Sequence, residues 1–76
     1  MARKQGASLI TLVGIVSGEA LASIERQGKT TLRALTLELH WPSTLVMMAV
    51  GALIRQGLVR GSQGGADTVL EAAVLA

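Results

Sequence analysis

Hydrophobic residues recur at intervals of three and four along three segments of the chain, and this spacing predicts three α-helices. In the first segment Ala20 and Ile24 share one face, and Gly28 stands where helices end in a left-handed residue. The start of this helix is ambiguous, because the apolar run 9–16 continues the same face but contains β-branched residues and a glycine. Residues 9–16 can therefore be interpreted either as the start of one long helix or as a short strand. We interpret the helix as beginning near residue 12, after an extended segment.

The second helix is predicted over residues 32–39, where leucine recurs with helical spacing. Thr31 suits its N-cap, since a threonine hydroxyl accepts a hydrogen bond from an amide in the first turn. Residues 29–31 are expected to form a strand with a single bridge. Pro42 then favours extended backbone at Trp41. We expect the Trp41 ring to fill the corner before the third helix, the alternative being a platform on which a base stacks.

The third helix is predicted from Pro42 to Gln56, because proline suits a first helical position and Gly57 suits a helix end. On a helical wheel one face is continuous and apolar, which indicates the core side. This core face consists of Val46, Ala49, Val50 and Leu53. The opposite face consists of Thr44, Met48, Gly51 and Arg55, with Leu45, Met47 and Ala52 at its margins.

A β-hairpin is predicted after the third helix. Residues 58–63 and 68–71 have strand character, and the two consecutive glycines between them accept the positive φ of a hairpin turn. The apolar residues 72–76 are expected to extend the return strand or to pair with a partner chain. The elements together predict one α+β domain over residues 9–76, behind a flexible N-terminus of residues 1–8.

The end of the third helix resembles a known junction. The sequence LIRQGLVR, residues 53–60, resembles the L-x-x-x-G-L-V junction of winged-helix regulators, where the recognition helix ends and the wing begins. VGIVSG at 13–18 and AVGALIRQG at 49–57 are similar to motifs of a small winged-helix family of unknown function. The Trp-Pro turn of this chain differs from the Leu-Ser turn of that family. The resemblance implies a winged helix-turn-helix fold, three helices followed by a β-hairpin wing, and specifies no chemistry.

Composition excludes several classes of protein. With 76 residues the chain is one domain, and without cysteine it has neither disulfides nor, with one histidine, a structural zinc site. The net charge of +2 permits phosphate contacts without requiring them. Half of the residues are hydrophobic, so part of the apolar surface is expected to be covered by a homodimer.

No catalytic constellation is visible. His40 is the only imidazole, no cysteine is present, and the glycines near residue 64 lack the lysine of a phosphate loop. The N-terminal apolar run is interrupted by Thr11 and Gly14 and is far shorter than the ~20 residues of a membrane span. We therefore predict a cytoplasmic protein without enzyme activity, cofactor, metal, membrane contact or small-molecule substrate.

Two functions remain open for the surface. The first is weak binding of double-stranded DNA through phosphates, because outward positions of residues 44–52 offer only Thr44 for hydrogen bonds to bases. The residues expected to contact DNA are Lys29, Arg33, Thr44, Arg55, Arg60, Ser62 and Gln63. The second is protein interaction or homodimerisation, because methionine suits adaptable contacts. The residues expected in that interface are Leu45, Met47, Met48 and Ala52.

Overall fold

The computed structural model describes residues 8–62 and 67–73, which form three helices and a three-stranded antiparallel sheet. The elements in chain order are α1 (Leu9–Gln27), β1 (Lys29–Thr31), α2 (Leu32–Leu39), α3 (Ser43–Arg55), β2 (Val59–Gly61) and β3 (Val69–Ala72). This arrangement confirms the predicted α+β class and is consistent with a winged helix. Of the predicted flexible N-terminus, residues 1–7 lie outside the described residues.

α1 begins at Leu9, so the prediction of extended chain up to about residue 12 is wrong. Ser8 is extended, and its Oγ accepts a hydrogen bond from the Thr11 amide at 3.2 Å. This side-chain cap satisfies one of the free N–H groups of the first turn and fixes the start of the helix. The predicted end is confirmed, because Gly28 has a φ of 81° and its N–H donates a hydrogen bond to the Ile24 carbonyl in the last turn.

The connection from α2 to α3 is a tight corner. Thr31 caps α2 as predicted, with its Oγ1 accepting from the Ala34 amide at 3.1 Å. α3 is one residue shorter than predicted at each end, and Pro42 stands just before it in extended backbone. Trp41 is half-buried against the core, and its Nε1 donates to Glu19 Oε1 of α1 at 2.9 Å. The indole therefore fills the corner, as predicted, and ties it to α1.

β3 is the central strand of the sheet, with β1 on one side and β2 on the other. β1 was expected to form a single bridge, but three residue pairs join it to β3. Successive side chains point to opposite faces of a strand, so each strand has an inner and an outer set. The inner residues are Thr30, Val59 and Leu70, and all three are buried.

The core is aliphatic and lies between the helices and the inner face of the sheet. All four residues of the predicted core face of α3 are buried. The other buried hydrophobic residues are Val16, Ala20, Ile24, Leu35, Val59 and Leu70. Leu21 and Leu58 are half-buried and pack against this cluster.

A polar clamp joins α1 to α2 beside the core. Buried Ser23 donates its hydroxyl proton to Glu38 Oε1 at 2.8 Å, and Arg26 Nη2 lies 2.6 Å from Glu38 Oε2. The hydrogen bond from Ser23 is the main cause that lowers the pKa of the Glu38 carboxyl, with further contributions from Arg26 and Gln27. The clamp therefore favours the ionised form of Glu38 and keeps the carboxyl ionised to a lower pH than an unpaired glutamate.

The first two turns of α1 extend beyond the core. Leu9, Ile10 and Ile15 are exposed, Ile10 by 85%, and the first buried residue of the helix is Val16. No charged side chain occurs between Leu9 and Gly18. A helix that is apolar on all sides is normally covered, so this end presents an uncovered apolar surface. Among the described residues, no helix is long and apolar enough to span a membrane.

Candidate nucleic-acid interface

The outer face of the sheet brings two of the predicted cations together. Lys29 of β1 and Arg60 of β2 are both register partners of Glu71, so the three side chains form one row across the sheet. The inner neighbours of this row are buried, which places the row on the solvent side. A shallow depression of about 510 Å³ lies over it, lined also by Ser62 and Val69. Lys29, Arg60 and Ser62 therefore belong to one surface.

The cations of the described chain differ in how they are neutralised. Arg26 is paired with Glu38 through its Nη2 at 2.6 Å, so a neighbouring carboxylate offsets its charge. Lys29, Arg55 and Arg60 have no carboxylate of the described residues within 4.0 Å. Glu71 lies between two of them without a direct ion pair, so the sheet row keeps an excess of one positive charge.

Arg33 lies apart from the sheet row, in the first turn of α2. Its Nε is 3.6 Å from Asp67 Oδ1, and both side chains are largely exposed. An exposed pair at this distance contributes little, typically below about 1 kcal/mol. Arg33 is therefore a weakly restrained cation.

The outward face of α3 carries the remaining predicted contacts. Thr44 and Arg55 are exposed and lie on the same side of the helix as Met48 and Gly51, as the predicted wheel requires. Apart from Thr44 and Arg55, this face has no hydrogen-bonding side chain. The predicted DNA contacts thus fall into three groups: the sheet row, Arg33, and the α3 face. Gln63 lies outside the described residues.

The residues predicted to form a protein interface are divided by the structure. Met47 and Met48 are exposed by 56% and 40%, whereas Leu45 and Ala52 are half-buried. On the helical wheel Met47 lies on one flank of the outer face of α3, and Leu45 and Ala52 lie on the other flank. Met48 lies between the two flanks. One flat partner surface would reach Met48 and only one of these flanks.

An apolar groove lies between α2 and α3 on the Met47 flank. Its volume is about 480 Å³. The apolar lining comes from Leu32, Leu37 and Met47, and the polar lining from Arg33, Thr36, Ser43 and Thr68. Leu37 is 69% exposed, so the groove opens to solvent along one side.

Sequence reasoning missed three features of these surfaces. Strand alternation indicated that Glu71 and Val69 share one face of β3, but the position of Glu71 between the two cations depends on the pairing of β1 and β2 with β3. The groove was not detectable, since it depends on how closely α2 and α3 approach. Leu37 gave a partial signal, because it lies outside the repeat formed by the other leucines of α2.

No group of His, Cys, Asp or Glu among the described residues is arranged to hold a metal ion. His40 is exposed and ends α2 in the left-handed conformation, with a φ of 60°. Comparisons of the chain with protein-family models, with curated proteins and with solved structures gave no match.

Proposed function

We propose that this protein is a winged helix-turn-helix module that binds double-stranded DNA weakly, through its phosphates. The observation that carries the proposal is the outer row of the sheet, where Lys29 and Arg60 are exposed together and no carboxylate of the described residues lies within 4.0 Å of either cation. Unpaired cations on one surface attract phosphates without reading base sequence. The helix-turn-helix arrangement of α2 and α3 supports the same function.

The composition of α3 supports phosphate contact over base reading. Direct readout requires side chains with several hydrogen-bonding groups, such as arginine, asparagine or glutamine, at the centre of the helix face. That centre is occupied by Met48 and Gly51, and Arg55 stands only at the helix end. The expected complex is therefore insensitive to sequence and sensitive to salt.

The test is a fluorescence-anisotropy titration of a random duplex at several salt concentrations. Each phosphate contact contributes a slope of about −0.9 to the plot of log K against log salt concentration. The double variant Lys29→Ala/Arg60→Ala is expected to bind more weakly and to reduce the slope by about 2. Arg55→Ala, tested alone, reports whether the α3 face contributes a contact of its own.

Arg26→Ala is the matched control, because it removes a cation that Glu38 already neutralises. It is expected to leave the salt slope unchanged. A double variant with the parent's affinity and slope would contradict the proposal. Tight binding of one preferred sequence at physiological salt would contradict the phosphate-dominated mode.

A second function, homodimerisation through the outer face of α3, is favoured by the exposure of Met48. A helix surface with an exposed methionine and one charge, Arg55, is typical of a face covered by protein. Met48→Glu is expected to split a dimer, because it buries an unpaired charge. Sedimentation of the parent, Met48→Glu and the control Leu37→Glu at matched concentration tests this. A parent that is monomeric throughout excludes the homodimer.

A further inference from the structure

The groove between α2 and α3 has the dimensions and lining of a small-molecule site. Its volume of about 480 Å³ falls within the roughly 300–1,000 Å³ of such sites. From Leu32 to Leu37 the α2 wall rises ~7.5 Å at 1.5 Å per residue. This length corresponds to less than two helical turns, so the groove is too short to hold a partner helix of several turns.

The groove carries a single charge at one end. Among the described residues that line it, Arg33 is the only charged one. Asp67 Oδ1 lies 3.6 Å from its Nε, and among the described residues no hydrogen bond engages the guanidinium. A guanidinium binds a carboxylate through two parallel hydrogen bonds, which a pair at this distance leaves available. The charge at this end therefore complements an anionic head group.

The rest of the lining offers hydrocarbon contact and few free polar groups. The Thr36 hydroxyl donates to the Leu32 carbonyl at 2.8 Å and is thereby satisfied within α2. Leu37 and Met47 present exposed apolar side chains to the groove. A ligand matched to this lining is apolar except at one end.

We propose that the groove binds a monocarboxylate with a linear alkyl chain, its carboxylate on Arg33 and its chain along Leu32, Leu37 and Met47. The ligand is bound and not converted. The proposal goes beyond DNA binding and stands independently of it.

The test compares octanoate with 1-octanol in heteronuclear NMR titrations of the labelled protein. Octanoate is expected to shift the amide signals of residues 32–37 and of Met47. Hexanoate is expected to bind about fifteenfold more weakly, at about fourfold per methylene lost. Arg33→Gln is expected to weaken octanoate about three- to fivefold and to leave octanol unchanged.

Met47→Asp and Met48→Asp form a matched pair, because the residues are adjacent and only Met47 lines the groove. Octanoate binding is expected to be lost in Met47→Asp and kept in Met48→Asp. Thermal melting followed by the single tryptophan verifies that both variants are folded.

Three results would overturn the proposal. One is an absence of shifts in the groove at millimolar octanoate. Another is shifts confined to the exposed start of α1, residues 9–15, which would indicate nonspecific hydrocarbon contact. The last is that the protein forms a dimer which Met47→Asp dissociates and which octanoate leaves intact. This result would show that the groove binds a second copy of the chain.

Discussion

Leu53 gives the sharpest test of how α3 is seated, because it is 3% exposed at the centre of the aliphatic core. Leu53→Ala removes three carbon atoms, which corresponds to about 2.4 kcal/mol of lost transfer free energy at ~0.8 kcal/mol per carbon. The cavity left behind adds to this, so the expected loss of unfolding free energy is about 3–5 kcal/mol. A domain of 76 residues has a total of roughly 4–11 kcal/mol. The variant is therefore expected to be close to unfolding.

Urea unfolding followed by Trp41 fluorescence measures this loss, because the indole packs against the core and is the only one in the chain. Leu37→Ala is the matched control, since it makes the same chemical change at a position that is 69% exposed. The control is expected to stay within about 0.5 kcal/mol of the parent. Equal midpoints for Leu53→Ala and the parent would refute the register of α3. An equal loss in both variants would show that burial is not the cause.

Three further predictions concern the ends and the clamp of the helices. His40→Gly is expected to stabilise the domain by about 0.5–1 kcal/mol, seen as a higher Tm, because glycine adopts the positive φ at this position without strain. Glu19→Ala is expected to cost about 0.5–1.5 kcal/mol in urea unfolding, whereas Glu19→Gln keeps an acceptor for the indole N–H and is expected to cost less. The lowered pKa of Glu38 adds stability above its unfolded pKa, and this stability is lost as the pH falls through the lower folded pKa. Glu38→Gln is thus expected to differ from the parent at neutral pH and to converge with it in acid, and parallel unfolding curves across the pH range would contradict this.

The sequence predicted most of the fold because its helices carry local end signals. Thr31 and Gly28 act within a few residues of their own helices, and both were interpreted correctly. Ser8 carried the same kind of signal at the start of α1, but the β-branched residues that follow it favoured an extended segment. The cap and the apolar repeat outweighed this weak propensity.

The parts that the sequence could not predict depend on contacts between distant segments. The pairing of β1 with β3 joins residues on either side of two helices, and no local pattern near Lys29 indicates three pairs rather than one. The neighbourhood of Lys29 and Arg60 follows from that pairing, since both lie opposite Glu71. The groove between α2 and α3 has the same origin, because its width is set by packing.

The central position of β3 has a consequence for the order in which the chain acquires structure during synthesis. β1 leaves the ribosome early, but its hydrogen-bonding partner, residues 69–72, is among the later parts to be made. Leu70 also completes the buried cluster. Until that strand emerges, the helices have an open core and the edges of β1 and β2 are exposed to other chains. The domain thus depends on its later-made residues for cooperative folding, and a chain truncated before residue 69 is expected to be protease-sensitive.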